Sequence, residues 1–167
     1  MATCLCVDET RLNQSVGRLL PHRIGQIMKD LGYRKSQGYE IWVNPSQENG
    51  VDLKMSHHDR PILVVEVLNW CIRSKLNYKR KSNIIRNLTG YECERVLVST
   101  PFANEEAIQD LPRFGVSLLK LSFQILPKLF YEYYASKNQV ELRMIDSRET
   151  TQNIRAKLEQ FLGVPEQ

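Results

Sequence analysis

The stretch 50–69, G-V-D-L-K-M-S-H-H-D-R-P-I-L-V-V-E-V-L-N, constrains this chain more than any other. Two runs flank a polar connection, His57-His58-Asp59-Arg60-Pro61: 51–56 alternates apolar and polar side chains, and 62–69 is apolar but for Glu66 and Asn69. Two strand-forming runs rich in β-branched residues on either side of a short polar segment are the pattern of an antiparallel hairpin. A hairpin centred near Asp59 sets Asp52 directly across from Glu66. Opposed side chains have Cβ atoms about 5 Å apart, so two carboxylates meet inside otherwise apolar strands. An unpaired charge in such a place is costly. A cation between the two relieves that cost, and a hard, oxygen-seeking one such as Mg²⁺ (or Mn²⁺) fits best. By the same alternation Asp52, Lys54 and Ser56 share one face of the first strand, and Ile62, Val64, Glu66 and Leu68 one face of the second. His57, His58 and Asp59 read as a polar turn and not as a metal or acid–base group.

Around the hairpin, the spacing predicts a short helix over 9–20. A firmer one opens at Pro21, carries Ile24, Ile27, Met28 and Leu31 at i, i+3, i+4, i+7, and stops at Gly32. The run 39–44 alternates as a strand. Residues 72–90 read as a helix ending at Gly90, and its segment 73–86 holds Arg73, Lys75, Lys79, Arg80, Lys81 and Arg86 with no acidic residue. On that helix Lys75, Lys79 and Arg86 fall on one face, a basic stripe suited to tracking a phosphate backbone. A strand over 95–100 and a short acidic helix capped by Asn104 follow, then a strand over 116–121. Pro127 opens a predicted helix whose aromatics, Phe130, Tyr131, Tyr133 and Tyr134, suit a core or a subunit interface. The pattern ends with a strand over 139–145 and an amphipathic helix from Thr150 or Thr151 bearing Ile154, Leu158, Phe161 and Leu162.

V-D-L, a hairpin, then V-V-E-V-L-N-W resembles the active-site hairpin of the restriction-endonuclease-like nucleases, the PD-(D/E)xK superfamily. The resemblance is greatest to the branch of archaeal Holliday-junction resolvases and methyl-directed (Mrr-like) restriction enzymes, whose second strand typically reads E-x-K-N-W. It covers roughly 21–100, in the order helix, three strands, helix, strand. It implies an α/β fold with a restriction-endonuclease-like core, a mixed central β-sheet flanked by helices on both faces. It also implies that Asp52 and Glu66 bind the metal. Leu68 stands where the family lysine would be. Lys54, on the neighbouring strand and the face of Asp52, is the residue expected to take over the role of that lysine, with Lys75 or Lys79 as substitutes. Glu40, Gln47 and Glu48 are further candidates for an extra ligand or a water contact.

The expected activity is therefore metal-dependent hydrolysis of DNA phosphodiester bonds, with Asp52, Glu66 and Lys54 catalytic. The alternative is a catalytically inactive nuclease fold that binds nucleic acid or serves as a subunit. The superfamily's frequent dimers imply a homodimer. At 167 residues the chain is read as a single domain, with a core over about 21–120 and an extension over 121–167 suited to dimerisation. The net charge of +4 is too modest to argue for nucleic acid by itself; the clustering of cations over 73–86 carries that reading. No apolar run approaches the roughly 20 residues of a membrane span, and the first residues lack a signal-peptide pattern, so a cytoplasmic protein is expected. Cys4, Cys6, Cys71 and Cys93 have neither zinc-knuckle nor disulfide-framework spacing and are expected to be reduced thiols. There is no Gly-rich phosphate loop, no dinucleotide fingerprint and no Ser/His/Asp order.

Overall fold

The structure, a computed structural model, describes residues 19–44, 50–70, 73–121, 123–126, 129–136, 139–144 and 147–162, with side chains for 20–44, 50–70, 73–121 and 151–162. The chain opens with helix α1 (Leu19–Leu31), followed by strands β1 (Tyr39–Val43), β2 (Leu53–His57) and β3 (Arg60–Leu68). Helix α2 (Tyr78–Thr89) leads to β4 (Glu94–Ser99), two 3-10 turns and β5 (Ser117–Lys120). Strands β6 (Phe123–Leu126), β7 (Leu129–Ser136) and β8 (Gln139–Met144) precede the last helix, α3 (Ser147–Leu162). Strands β1 to β5 form one five-stranded sheet in sequence order, and β6 to β8 a separate three-stranded one. Within the larger sheet β1, β2 and β3 are antiparallel neighbours, whereas β3, β4 and β5 run parallel. The fold is thus α/β with a mixed sheet, as expected.

Alternation along the strands separates two apolar layers. Leu53, Met55, Leu63, Val65, Val67, Val96 and Val98 point to the side covered by α1 and α3. Val64, Leu68 and Leu97 point to the other side, where Ile84 and Leu88 of α2 cover them together with Phe102, Ile108 and Leu111. The helix expected from Pro21 is α1, and Gly32 ends it at φ +115°, a conformation that only glycine takes freely. In α3 Ile154 and Leu158 are buried against the α1 layer, so the apolar face of this helix is spent within the chain. The helix predicted over 9–20 lies outside the described residues.

The hairpin forms as the alternation requires, with a tighter tip than expected. Strand β2 continues through His57 and β3 starts at Arg60, leaving a two-residue turn, His58-Asp59, with both φ positive (50° and 66°). Two positive φ values are the signature of the type I′ turn, whose twist matches the flanking strands. His57 faces Arg60 and Ser56 faces Pro61, but Met55 faces Leu63. Ile62 is therefore a surplus residue, a β-bulge. Without it the ladder would bring Asp52 opposite Val65; with it, the Leu53↔Val65 pairing carries on to Asp52 opposite Glu66. The bulge also moves Ile62 off the face of Val64, Glu66 and Leu68 and onto the α1 layer, which corrects its expected placement.

Three further expectations fail. The helix expected over 72–90 is only Tyr78–Thr89. Asn77 starts it, its side chain accepting from the Arg80 N–H at 2.8 Å, so residues 73–77 precede the helix and Lys75 is not on its face. The helix predicted from Pro127 is the central strand β7, paired with β6 and β8. Its aromatic run has the high strand propensity of such residues, and β6 and β8 supply pairing partners on both sides. Asn104 does not cap the turn after it; its side chain brackets Leu76 instead, accepting from the Leu76 N–H at 2.7 Å and donating to the Leu76 carbonyl at 2.8 Å. Cys93 is a free thiol, and the other cysteines lie outside the described residues.

Candidate active site

A polar row crosses the sheet on the face covered by α2. Asp52 stands just before β2 and Glu66 near the end of β3, in facing positions of the ladder. On the other side of Asp52 is Asn44, whose backbone N–H donates to the Asp52 carbonyl at 2.9 Å. Asn44 and Glu66 are both buried, at 8% and 2% exposure. One oxygen of Asp52 accepts the Val67 backbone N–H at 2.7 Å, which fixes the carboxylate against β3. Glu66 has a buried oxygen, Oε1, with no hydrogen-bond partner. A buried carboxylate oxygen without a donor is among the most expensive arrangements a fold can keep.

The electrostatics follow from that burial. Burial, with the neighbouring Asp52 charge, pushes the Glu66 carboxyl up to about 8, against the opposing pull of Arg80 and a hydrogen bond from Asn87. Burial also raises Asp52, while the Val67 N–H and Arg80 hold it down. Two carboxylates this close cannot easily both ionise, so near neutral pH the pair retains a proton, held chiefly by Glu66.

Helix α2 supplies the rest. Ile84 is buried against the sheet, so Arg80 and Asn87, at i−4 and i+3 from it, border the same stripe and overlook the carboxylates. Asn87 additionally donates to the Gly50 carbonyl at 3.3 Å, tying the helix to the segment that delivers Asp52. The cation acting on both acids is thus Arg80, which the sequence reading placed only among the phosphate-binding residues. Asn44 and Asn87 went unnoticed altogether. The i, i+4, i+7 spacing of Arg80, Ile84 and Asn87 was the available signal, but nothing local says which face of the helix meets the carboxylates.

Lys54 lies on the carboxylate face, opposite Trp42 on one side and Val64 on the other. Its ammonium sits 5.7 Å from the Trp42 ring centroid and 5.9 Å from that of Tyr91. Leu68, in the position of the absent lysine, is fully buried in the apolar layer beneath α2. Lys75, Lys79 and Arg80 are exposed near the start of α2, and Arg73 is exposed just before it. Lys81 instead pairs with Asp110 at 2.7 Å, and Arg86 donates to Asn83 at 2.8 Å within the helix. Glu40 faces Ser56, four residues along β1 from Asn44 and so roughly 13 Å from the acids. Gln47 and Glu48 lie outside the described residues. His57 stacks on Tyr39 with ring centroids 4.1 Å apart and a 13° interplanar angle, and its Nε2 contacts the Gln37 carbonyl at 3.1 Å, in keeping with a structural turn.

No cluster of three or more His, Cys, Asp or Glu side chains exists among the described residues. Two carboxylates nonetheless fit Mg²⁺, which commonly takes one or two and completes its octahedron with water and phosphate oxygens. The unpartnered Glu66 oxygen is the observation that favours the fit. No helix among the described residues is long and apolar enough to cross a membrane. No protein-family model matches the chain, and no curated protein matches it either.

Proposed function

We propose that this protein is a metal-dependent nuclease that hydrolyses DNA phosphodiester bonds at the Asp52–Glu66 pair. The observation that carries the proposal is a buried carboxylate pair, brought face to face by a bulged hairpin, with one Glu66 oxygen lacking any donor. A fold does not retain such a pair for stability, and perturbed acids of this kind concentrate at functional sites.

When bound, a divalent cation supplies Lewis-acid stabilisation of phosphate charge and eases deprotonation of an attacking water. Asp52 and Glu66 would hold it; the Val67 N–H keeps Asp52 from rotating away. Arg80 reaches the site from above and suits a non-bridging phosphate oxygen, for which a guanidinium fork has the right geometry. In this reading Arg80 shares with Lys54 the work of the missing lysine. Lys79 and Arg80 stand in the first turn of α2, which contains no acid. Cations at the positive end of a helix dipole are unfavourable by roughly 0.3–1 kcal/mol each, and their presence there supports an anionic ligand. A homodimer, which would present two such sites to one duplex or junction, belongs to the same reading.

The test is cleavage of supercoiled plasmid and of branched DNA with Mg²⁺ or Mn²⁺, by wild type and by Asp52→Ala, Glu66→Ala, Arg80→Ala and Lys54→Ala. Metal-dependent cutting that both carboxylate variants abolish is the expected result. The burial of Leu68 in the lysine position favours a second reading, a binding module without catalysis. Salt-sensitive DNA binding by a protein that cuts no substrate would establish that second reading and end the first.

A further inference from the structure

Three large hydrophobic side chains are exposed among the described residues, Trp42 (44%), Phe114 (44%) and Tyr78 (85%). One of them, Trp42, borders the carboxylate site. Trp42 lies on β1, at the open edge of the sheet, and faces Lys54. Because Asn44 adjoins Asp52 and Trp42 is two residues from Asn44, Trp42 and Asp52 are diagonal neighbours on one face, about 7–8 Å apart.

We infer that Trp42, with Lys54 and Tyr91, forms a stacking platform for an unpaired base, so that the substrate presents single-stranded DNA at the site. The inference rests on the nuclease reading for what happens next to the platform, but not for the platform itself. The Lys54 ammonium lies over both the Trp42 and the Tyr91 rings, 5.7 and 5.9 Å from their centroids. A cation held beside an exposed indole offers an unpaired nucleotide both of its recognisable parts, a π-face for the base and a positive charge for its phosphate. Base pairs in a continuous duplex have their faces covered by neighbours, so this platform has no access to them. The diagonal separation places the next phosphate along the strand toward Asp52 and Glu66. The selectivity is therefore for unpaired nucleotides at a flap, a junction or a free strand. It is not for base sequence, since every base has a π-face.

The experiment measures binding of an oligodeoxythymidylate and of a duplex of equal length, in EDTA so that no cutting intervenes, followed by tryptophan fluorescence and by anisotropy. Wild type, Trp42→Phe and Trp42→Leu are compared; at 44% exposure Trp42 can be replaced without disturbing the core, and circular dichroism verifies it. The single strand is expected to quench wild-type fluorescence. Trp42→Phe should lose most of that quenching yet bind within about threefold of wild type. Trp42→Leu should bind the single strand about tenfold or more weakly and the duplex unchanged. Equal single-strand binding by wild type and Trp42→Leu would overturn the platform, as would equal losses for strand and duplex. The two proposals separate in a parallel cleavage assay. Metal-dependent cutting with no Trp42 effect keeps the nuclease and removes the platform. A Trp42 effect on strand binding without any cutting keeps the platform and removes the nuclease.

Discussion

Replacing Glu66 by glutamine should make this protein more stable, and increasingly so as pH rises. The Glu66 carboxyl is 2% exposed and keeps its proton up to about pH 8, whereas in an unfolded chain it would lose it near its ordinary value of 4.5. Between those two values the folded state binds more protons than the unfolded one, so raising the pH favours unfolding. Each pH unit in that window costs about 1.4 kcal/mol from this one group. From pH 5 to pH 7.5 the sum is roughly 3 kcal/mol. Glutamine has nearly the same shape and cannot ionise, so it removes that slope. Urea unfolding of both proteins at pH 5 and pH 7.5, followed by tryptophan fluorescence, reads the effect. The stability difference between variant and wild type should grow by about 3 kcal/mol across the interval; any constant offset between amide and acid cancels. A difference that stays flat between the two pH values would refute the burial of an uncompensated Glu66. Adding Mg²⁺ at pH 7.5 should raise the wild-type midpoint and leave Glu66→Gln much less affected, because a ligand stabilises only the state that binds it.

Three other perturbations follow from particular contacts. Asp52→Asn removes the neighbouring charge that helps raise Glu66, so the loss of stability with rising pH should level off at a lower pH in the variant, with the Glu66 midpoint below about 8, measured in the same urea series. Lys79→Glu places an acid at the positive end of α2 and should stabilise the fold by about 0.5 kcal/mol. The same change should weaken DNA binding and reduce its logarithmic salt slope by about 1, as read by anisotropy across a salt titration. Gly38→Ala should cost at least about 1 kcal/mol, or several degrees in Tm by calorimetry. Its φ is +88°, and an added Cβ would collide with the His58 ring.

The hairpin was legible because two independent codes agreed on it, two strand-forming runs (the first alternating with period two) and a polar tip between them. Asp52 opposite Glu66 followed from counting residues, although the count worked through a bulge that no pattern announced. The helix over Ile24, Ile27, Met28 and Leu31 was equally plain, since its apolar spacing and Gly32 stop coincide. Elsewhere one code stood alone. The aromatic run 129–136 suits a helix or a strand until pairing partners decide it, and β6 and β8 do. Basic residues over 73–86 suggested one continuous helix, yet Asn77 captures the Arg80 N–H and starts it late. The neighbours of the acids, Arg80 and Asn87, depend instead on which face of the helix packs on the sheet, a tertiary choice marked by buried Ile84 and Leu88. Lys81 shows a different limit: its partner Asp110 is 29 residues away, and no local pattern foretells such a pair.

The bulge at Ile62 also determines how this gene can change length without losing its site. From Asp52 to the turn there are five residues, and from the turn to Glu66 there are six. A codon lost from the longer arm removes the surplus, straightens the ladder and leaves the two acids face to face. A codon lost from the shorter arm leaves four residues against six. Neighbouring strand residues point to opposite faces, so the aspartate would then turn toward Met55 and Leu63 unless a second bulge formed. Deletions in the two arms of one short loop, a few bases apart in the gene, should therefore have opposite fates.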